Sequence, residues 1–75
     1  MDRDYETLRE TLGQNVRRLR RARKLSQEKL AFEAEIDRTY VSQIERGVIN
    51  PSLHVLWRLG KVLDTDVTVL LQPSA

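Results

Sequence analysis

The sequence predicts an all-α protein, a compact bundle of four to five short helices that contains a helix-turn-helix. Two observations predict this class. Residues that cap helix N-termini recur just before stretches whose apolar residues follow one another at helical spacing. The composition is also dominated by residues that favour helices, namely Leu, Arg, Glu, Lys, Ala and Gln.

The length and cysteine content limit how the fold can be stabilised. A chain of 75 residues is expected to form one domain, residues 1–75, close to the smallest size that one apolar core can hold. No cysteine is present, so disulfides and thiolate metal sites cannot add stability. Tight helix packing and self-association remain as sources of stability, and we expect both. No run of about eighteen apolar residues occurs, so we expect a cytoplasmic protein that does not enter a membrane.

The first helix is predicted to begin at Asp4, or alternatively at a capping box formed by Thr7 and Glu10. Its apolar residues define one buried stripe, Leu8, Leu12, Val16 and Leu19. Its last part carries six cations and no acid, namely Arg17, Arg18, Arg20, Arg21, Arg23 and Lys24. This basic patch fits either a solvated helix face or a surface for an anionic partner such as nucleic acid.

The second and third helices are predicted to follow as a helix-turn-helix. Ser26 caps the second helix, which has about nine residues and buries Leu30, Ala31 and Ala34 with Phe32 at its edge. In the turn, Ile36 fills the core and Asp37 caps the third helix. That helix is expected to run to Arg46 and to stop at Gly47.

The third helix shows two faces with different residue types. Val41 and Ile44 point inward, whereas Arg38, Thr39, Tyr40 and Gln43 point outward. Such outward residues are typical of helices that read base edges in the DNA major groove. We therefore expect double-stranded DNA as the partner.

The chain after Gly47 is predicted to supply a fourth helix and a short final element. Residues 48–51 are extended because Pro51 disfavours helix before it. Ser52 caps the fourth helix, in which Gly60 permits a close backbone approach; its inward residues are Leu53, Leu56, Leu59 and Leu63.

Residues 66–72 fit either a helix or a short strand. Asp66 can cap a fifth helix that buries Val67, Leu70 and Leu71, but Val67, Thr68 and Val69 alternate as in a strand. We favour the helix. Either form exposes apolar surface that so small a domain cannot cover, which indicates a dimer interface formed by Trp57, Val67, Val69, Leu70 and Leu71.

The chain resembles the Cro/C1-type (XRE) helix-turn-helix family of transcriptional regulators, which have a lambda-repressor-like DNA-binding domain. The resemblance rests on Leu-Ser-Gln-Glu-Lys-Leu-Ala at residues 25–31, Tyr-Val-Ser-Gln-Ile-Glu-Arg-Gly at 40–47 and Asn-Pro-Ser-Leu at 50–53. It covers about residues 12–63. Residues 37–42, Asp-Arg-Thr-Tyr-Val-Ser, are in addition similar to the recognition helix of restriction-modification controller proteins.

The resemblance implies roles for individual residues. Arg38, Thr39 and Gln43 match base-reading positions, and Tyr40 matches a position that contacts base or backbone. Glu45 and Arg20 match a salt bridge between the third and first helices. The residues that the resemblance and the charge pattern place near DNA phosphates are Gln27, Arg20, Arg23, Ser42, Arg46 and Asn50.

Two departures from the family pattern affect these expectations. Val48 and Ile49 stand where many members carry cations, so backbone amides, Arg46 or Asn50 must supply phosphate contacts there. Glu35 and Asp64 occupy turn positions that are often glycine, each with an expected strain of about 1 kcal/mol.

The sequence therefore predicts a homodimeric, sequence-specific DNA-binding regulator that acts on a pseudo-palindromic operator. An antitoxin that binds DNA and also a toxin protein is the alternative, because the strand interpretation of residues 67–71 resembles some antitoxins. A protein-interaction module without DNA binding is disfavoured by Arg38 and the basic patch. No catalytic constellation, metal cluster, cofactor motif or small-molecule site is evident, so we do not expect an enzyme.

Overall fold

The computed structural model describes residues 3–73, and this part of the chain contains five α-helices and no strand. They are α1 (Tyr5–Ala22), α2 (Gln27–Ala34), α3 (Arg38–Glu45), α4 (Leu53–Leu63) and α5 (Val67–Leu70). The all-α prediction is confirmed. The predicted domain of residues 1–75 also includes residues 1, 2, 74 and 75, which lie outside the described residues. Between residues 3 and 73, no helix combines the length and apolarity needed to cross a membrane.

Every helix begins after the cap residue that the sequence predicts. The side chain of each cap accepts a hydrogen bond from a backbone N–H two or three residues later, and the caps are Asp4, Ser26, Asp37, Ser52 and Asp66. The first helix thus begins at Asp4 and not at the alternative capping box. The cap at Asp66 starts a helix, so the helical interpretation of the last segment is confirmed and the strand interpretation is wrong.

Four of the helices, α1 to α4, are followed by a residue in left-handed backbone. Glu35 and Asp64 have φ angles of 59° and 55°, as expected at positions where glycine is common. Lys24, after α1, also has a positive φ of 58°, which the sequence did not indicate. Gly47 stops the third helix with a φ of 72°, and the helix ends at Glu45, one residue earlier than predicted.

The core lies where all five helices meet. α3 packs against α1 and α2, α4 packs against α2, and α5 is held between α1 and α4. The buried apolar residues are Leu12, Val16, Leu30, Ala31, Ala34, Val41, Ile44, Leu56, Leu59, Leu63 and Leu70. Leu8 and Leu19 of the predicted α1 stripe are half-buried at its ends.

One predicted inward position and one predicted edge position differ in the structure. Leu53 is 73% exposed and not part of the core. It lies six residues before Leu59, which at about 100° per residue places it about 120° away around α4. Val55 and Val62 pack against the core on that helix instead. Phe32, expected at an edge, is 74% exposed, with the Lys29 ammonium 5.4 Å from the centre of its ring.

Two glycines allow backbone segments to approach closely. A Cβ atom on Gly60 would lie 2.7 Å from the carbonyl oxygen of Thr65, which confirms the predicted close approach. A Cβ atom on Gly13 would lie 2.5 Å from the carbonyl oxygen of Ile44 and 2.6 Å from that of Glu45. The sequence did not reveal the role of Gly13, which lets α1 cross the C-terminal end of α3 in contact with its backbone.

A buried asparagine on α1 fixes the position of α5. Asn15 is 1% exposed, and its side-chain amide donates to the carbonyl oxygens of Leu70 at 2.9 Å and Gln72 at 2.8 Å. These bonds satisfy carbonyls that the end of α5 leaves free. Leu70 itself is fully buried. Its assignment to a dimer interface is therefore wrong, because its side chain fills the core of a single chain.

Candidate nucleic-acid interface

The outward face of α3 presents the side chains predicted to read DNA bases. Val41 and Ile44 anchor the opposite face in the core, which leaves Arg38 and Thr39 exposed at the first turn. Gln43, half-buried, follows Thr39 by one helical turn, and Arg46 follows at the end of the helix. The helix thus offers one continuous row of polar side chains to a partner.

Tyr40 differs from the other members of the predicted base-reading set. Its ring is half-buried against the core, and its hydroxyl accepts a hydrogen bond from the Ser52 N–H at 3.4 Å. The side chain therefore links α3 to the beginning of α4.

A buried carboxylate at the end of α3 joins the first three helices. The Glu45 side chain is 0% exposed and pairs with Arg20 of α1, whose Nε donates to Oε2 at 2.6 Å and whose Nη2 donates to Oε1 at 3.0 Å. Gln27, the first residue of α2, donates its Nε2 to the same Oε1 at 3.0 Å. Arg17 approaches that oxygen at 3.3 Å. This network fixes the orientation of α3 relative to α1 and α2.

The surroundings of Glu45 keep it ionised. Burial raises the pKa of the Glu45 carboxyl, but hydrogen bonds from Arg20 and Gln27, the charge of Arg20 and a hydrogen bond from Arg17 outweigh it. The resulting pKa lies below its ordinary value. The hydrogen bond to Glu45 in turn raises the pKa of Arg20. The Arg20–Glu45 salt bridge that the resemblance implies is therefore present and fully charged at neutral pH.

The structure leaves little of Arg20 free for the predicted phosphate contact. Its third nitrogen, Nη1, donates to the carbonyl oxygen of Leu25 at 2.8 Å, so every nitrogen of the guanidinium has a partner inside the protein. Only 10% of the side chain is exposed. Three of its five N–H donors bind Glu45 and the Leu25 carbonyl, so Arg20 mainly supports α3 from inside the protein.

The remaining predicted phosphate contacts lie at the surface. Gln27 is half-buried at the start of α2 and keeps one amide hydrogen beyond its bond to Glu45. Arg23 and Arg46 are exposed at the ends of α1 and α3, Asn50 is exposed before α4, and Ser42 is half-buried on α3. The sequence did not indicate that Gln27 and Arg17 share the Glu45 carboxylate, because that contact joins residues 18 and 28 positions apart.

The predicted dimer surface is largely accessible apart from Leu70. Trp57 is 52% exposed on α4, so it is not a core residue. It lines an open groove with Val67 and with the charged side chains Lys61, Asp64 and Asp66. Val69 is half-buried on α5, and Leu71 is half-buried directly after that helix. This face, formed by Trp57, Val67, Val69 and Leu71, is called the α4–α5 face below.

The Glu45 network makes a testable prediction about acid stability. Because its pKa is lowered in the folded state, Glu45 stabilises the fold above its ordinary pKa of 4.5, and this contribution is lost as the pH falls further. Glu45→Gln is expected to destabilise the fold by about 3 kcal/mol at neutral pH, because Arg20 loses its buried partner. Below about pH 4 the difference from the parent should shrink.

Urea unfolding between about pH 7 and pH 3 measures this difference. Glu33→Gln on the exposed side of α2 is the matched control and should follow the parent throughout. Asp4 and Asp66, whose pKa values are lowered by hydrogen bonds from Thr7 and Thr68, contribute equally to all three proteins. A constant gap between the Glu45→Gln and parent curves across the whole range would contradict the assigned role of this carboxylate.

Comparison with known proteins places this geometry among regulators. A family model described as helix-turn-helix matches residues 16–70. The control protein C.BamHI of Bacillus amyloliquefaciens is 47% identical over 60 residues, which cover 79% of this chain and 74% of that protein. The structure of the restriction-modification controller protein C.AhdI from Aeromonas hydrophila superimposes with a TM-score of 0.80 at 44% identity, over 83% of this chain and 94% of that one.

A third comparison includes nucleic acid. The structure of SinR, described as a master regulator for biofilm formation in complex with DNA, matches with a TM-score of 0.78 at 35% identity, over 81% of this chain and 98% of that one. None of these three proteins is described as an antitoxin, and the strand on which that alternative depended is a helix. The antitoxin alternative therefore has no support.

Proposed function

Because this chain belongs to the helix-turn-helix family of Cro/C1 (XRE) type, we propose that it is a sequence-specific DNA-binding transcriptional regulator that acts as a homodimer on a pseudo-palindromic operator. The observation that carries the proposal is the outward face of α3, held in one orientation by the buried Glu45 network. A rigid recognition helix can enter the major groove without a further cost of ordering.

In the proposed complex, α3 reads the bases. Arg38 can donate two hydrogen bonds to a guanine, Gln43 can pair with an adenine, and the Thr39 methyl can contact a thymine. Tyr40, half-buried on the same helix, is proposed to contact a base or the backbone. Gln27, Arg23, Ser42, Arg46 and Asn50 are proposed to bind phosphates on either side of the groove and thereby fix the register of α3.

Two copies are needed for adequate specificity. Each base-reading contact discriminates by about 1 to 3 kcal/mol, so three or four contacts in one copy are too few to locate a site in a genome. A two-fold dimer doubles the contacts and places two half-sites about 34 Å apart. The α4–α5 face is the proposed interface, since it combines an exposed tryptophan with half-buried aliphatic residues.

The similarity to C.BamHI and C.AhdI suggests the class of regulator. Both match over most of this chain, and one is described as a restriction-modification controller. Control of restriction-modification genes is therefore the proposed context. The proposed place of action is the cytoplasm, where such genes are transcribed.

Arg38 gives the most direct test of base reading. Arg38→Ala is expected to lower affinity for the preferred duplex by about 1 to 3 kcal/mol per half-site, or roughly 5- to 150-fold, because it removes a bidentate base contact. Affinity for a scrambled duplex of equal length should change much less. The preferred duplex is obtained by selection with the parent protein from random DNA, and both affinities are measured at one salt concentration.

Gln27→Ala serves as the contrasting variant, because a phosphate contact carries no base information. It should weaken binding to both duplexes by similar factors. Thermal unfolding confirms that each variant is folded. An Arg38→Ala protein that still prefers the selected duplex as strongly as the parent would remove Arg38 from base reading.

A further inference from the structure

Two arginines of α1 share one carboxylate unequally. Arg20 makes two short hydrogen bonds to Glu45 and leaves only 10% of its side chain exposed. Arg17 makes one longer contact, 3.3 Å from Nε to Oε1, and keeps 44% of its side chain exposed. The charge of Arg20 is sufficient to balance the single carboxylate. The charge of Arg17 is therefore left over at the surface.

Arg17 and Gln27 meet at one oxygen of the buried carboxylate. Both side chains donate to the same oxygen, Glu45 Oε1, at 3.3 and 3.0 Å. Arg17 Nε and Gln27 Nε2 can consequently be no more than about 6.3 Å apart, the sum of these two distances. A phosphate group has several oxygens that accept hydrogen bonds at about 2.9 Å, so one group can accept both from a terminal nitrogen of Arg17 and from the Gln27 amide.

The surroundings of this pair favour an anion. Arg17 lines a surface groove with Gln14, Arg18, Arg21 and the buried Glu45. Within residues 3–73, the terminal nitrogens of Arg17 make no hydrogen bond to the protein. The amide of Gln27 likewise keeps one hydrogen unused after its bond to Glu45. Both residues can therefore donate to an incoming group without breaking their contacts to the carboxylate.

We propose that Arg17 and Gln27 together bind one phosphodiester group of the DNA backbone, aimed by the buried Arg20–Glu45 pair behind them. The inference rests on the proposed function and names Arg17 as a phosphate-binding residue in place of Arg20. It divides the basic patch by role: Arg20 supports the fold, and Arg17 binds the partner. The phosphate would lie beside α2 and close to the C-terminal end of the recognition helix.

Salt dependence of binding tests the role of Arg17. Each phosphate contact to B-DNA contributes about 0.9 to the slope of log affinity against log salt. Arg17→Gln is expected to reduce the slope by about 0.9 per protomer, or about two units for a dimer. Lys29→Gln is the matched control, because it removes one charge from an exposed side chain of α2 that points away from Gln27 and lies outside the groove. Its slope should remain within about half a unit of that of the parent.

The probes are the selected duplex and a scrambled duplex, and Arg17→Gln should lower the slope on both. An equal reduction by Arg17→Gln and Lys29→Gln would indicate a diffuse basic surface and overturn the inference. An unchanged slope for an Arg17→Gln protein that binds DNA normally would also overturn the inference, but it would leave the proposed function intact. Failure of the parent protein to bind either duplex would overturn both the inference and the proposed function.

Pairwise coupling provides a second, independent readout. If Arg17 and Gln27 bind the same phosphate, Gln27→Ala should weaken DNA binding less in the Arg17→Gln protein than in the parent. Thermal unfolding of each variant shows whether the fold is kept, as expected for Arg17 with its exposed side chain. Equal effects of Gln27→Ala in both backgrounds would mean that the two residues act separately, which contradicts a shared phosphate.

Discussion

Leu70→Asp is expected to unfold the chain at room temperature, whereas Trp57→Asp is expected to leave it folded. Leu70 is 0% exposed and Trp57 is 52% exposed, although the sequence suggested the same interface role for both. Removal of a buried leucine side chain costs about 2 to 5 kcal/mol, and an unpaired carboxylate in the core costs several more. A domain of this size has about 5 kcal/mol of stability in total.

Circular dichroism and sedimentation velocity distinguish the two variants. Trp57→Asp should keep its helical signal but shift toward the monomer, because it places a charge on the proposed α4–α5 face. A folded, dimeric Leu70→Asp protein would show that α5 does not close the core. A fully dimeric Trp57→Asp protein would place the homodimer interface elsewhere.

Gly13→Ala is expected to destabilise the fold by about 2 to 3 kcal/mol, although alanine favours a helix over glycine by about 1 kcal/mol. The added methyl group would meet the backbone oxygens of Ile44 and Glu45 at 2.5 and 2.6 Å. Backbone atoms cannot rotate aside as a side chain can, so α1 and α3 must separate. The separation would also disturb the Glu45 carboxylate that orients α3.

Chemical unfolding of Gly13→Ala beside Gln14→Ala measures this cost. Gln14 is the next residue of α1 and is exposed, so alanine there should change stability by less than about 0.5 kcal/mol. Weaker DNA binding by Gly13→Ala, even where it remains folded, would follow from the displaced α3. A Gly13→Ala protein more stable than the parent would contradict the close helix crossing.

The helix beginnings could be predicted because their causes are local. A cap such as Asp37 or Asp66 binds a backbone N–H only two residues away, so neighbouring residues contain the whole interaction. The same cause decides between helix and strand for residues 66–72. The β-branched alternation of Val67, Thr68 and Val69 is a weaker preference than the cap at Asp66 combined with burial of Leu70.

The contacts that complete the fold could not be predicted because they join distant parts of the chain. Asn15 meets Leu70 across 55 positions, and Gly13 meets α3 across about 30. Nothing in the local pattern distinguishes Asn15 from a solvated residue. Leu70 appeared surplus to the core for the same reason, since the space that it fills is formed by other helices.

Part of the candidate site could be predicted, and part required the three-dimensional structure. The outward position of Arg38 and Thr39 follows from helical periodicity alone. The different roles of Arg17 and Arg20 do not follow from periodicity, because both residues belong to one run of cations. Their roles differ only through the position of Glu45, which the packing of α3 against α1 determines.

Selection of duplexes from random DNA tests the proposed function most directly. Purified protein is incubated with random duplexes of about 24 base pairs, long enough for two half-sites one helical turn apart. We predict enrichment of an inverted repeat whose half-sites are centred about 34 Å apart, and no such enrichment by Arg38→Ala. Recovery of a sequence-independent pool by the parent protein, at a salt concentration where it still binds, would contradict a sequence-specific regulator.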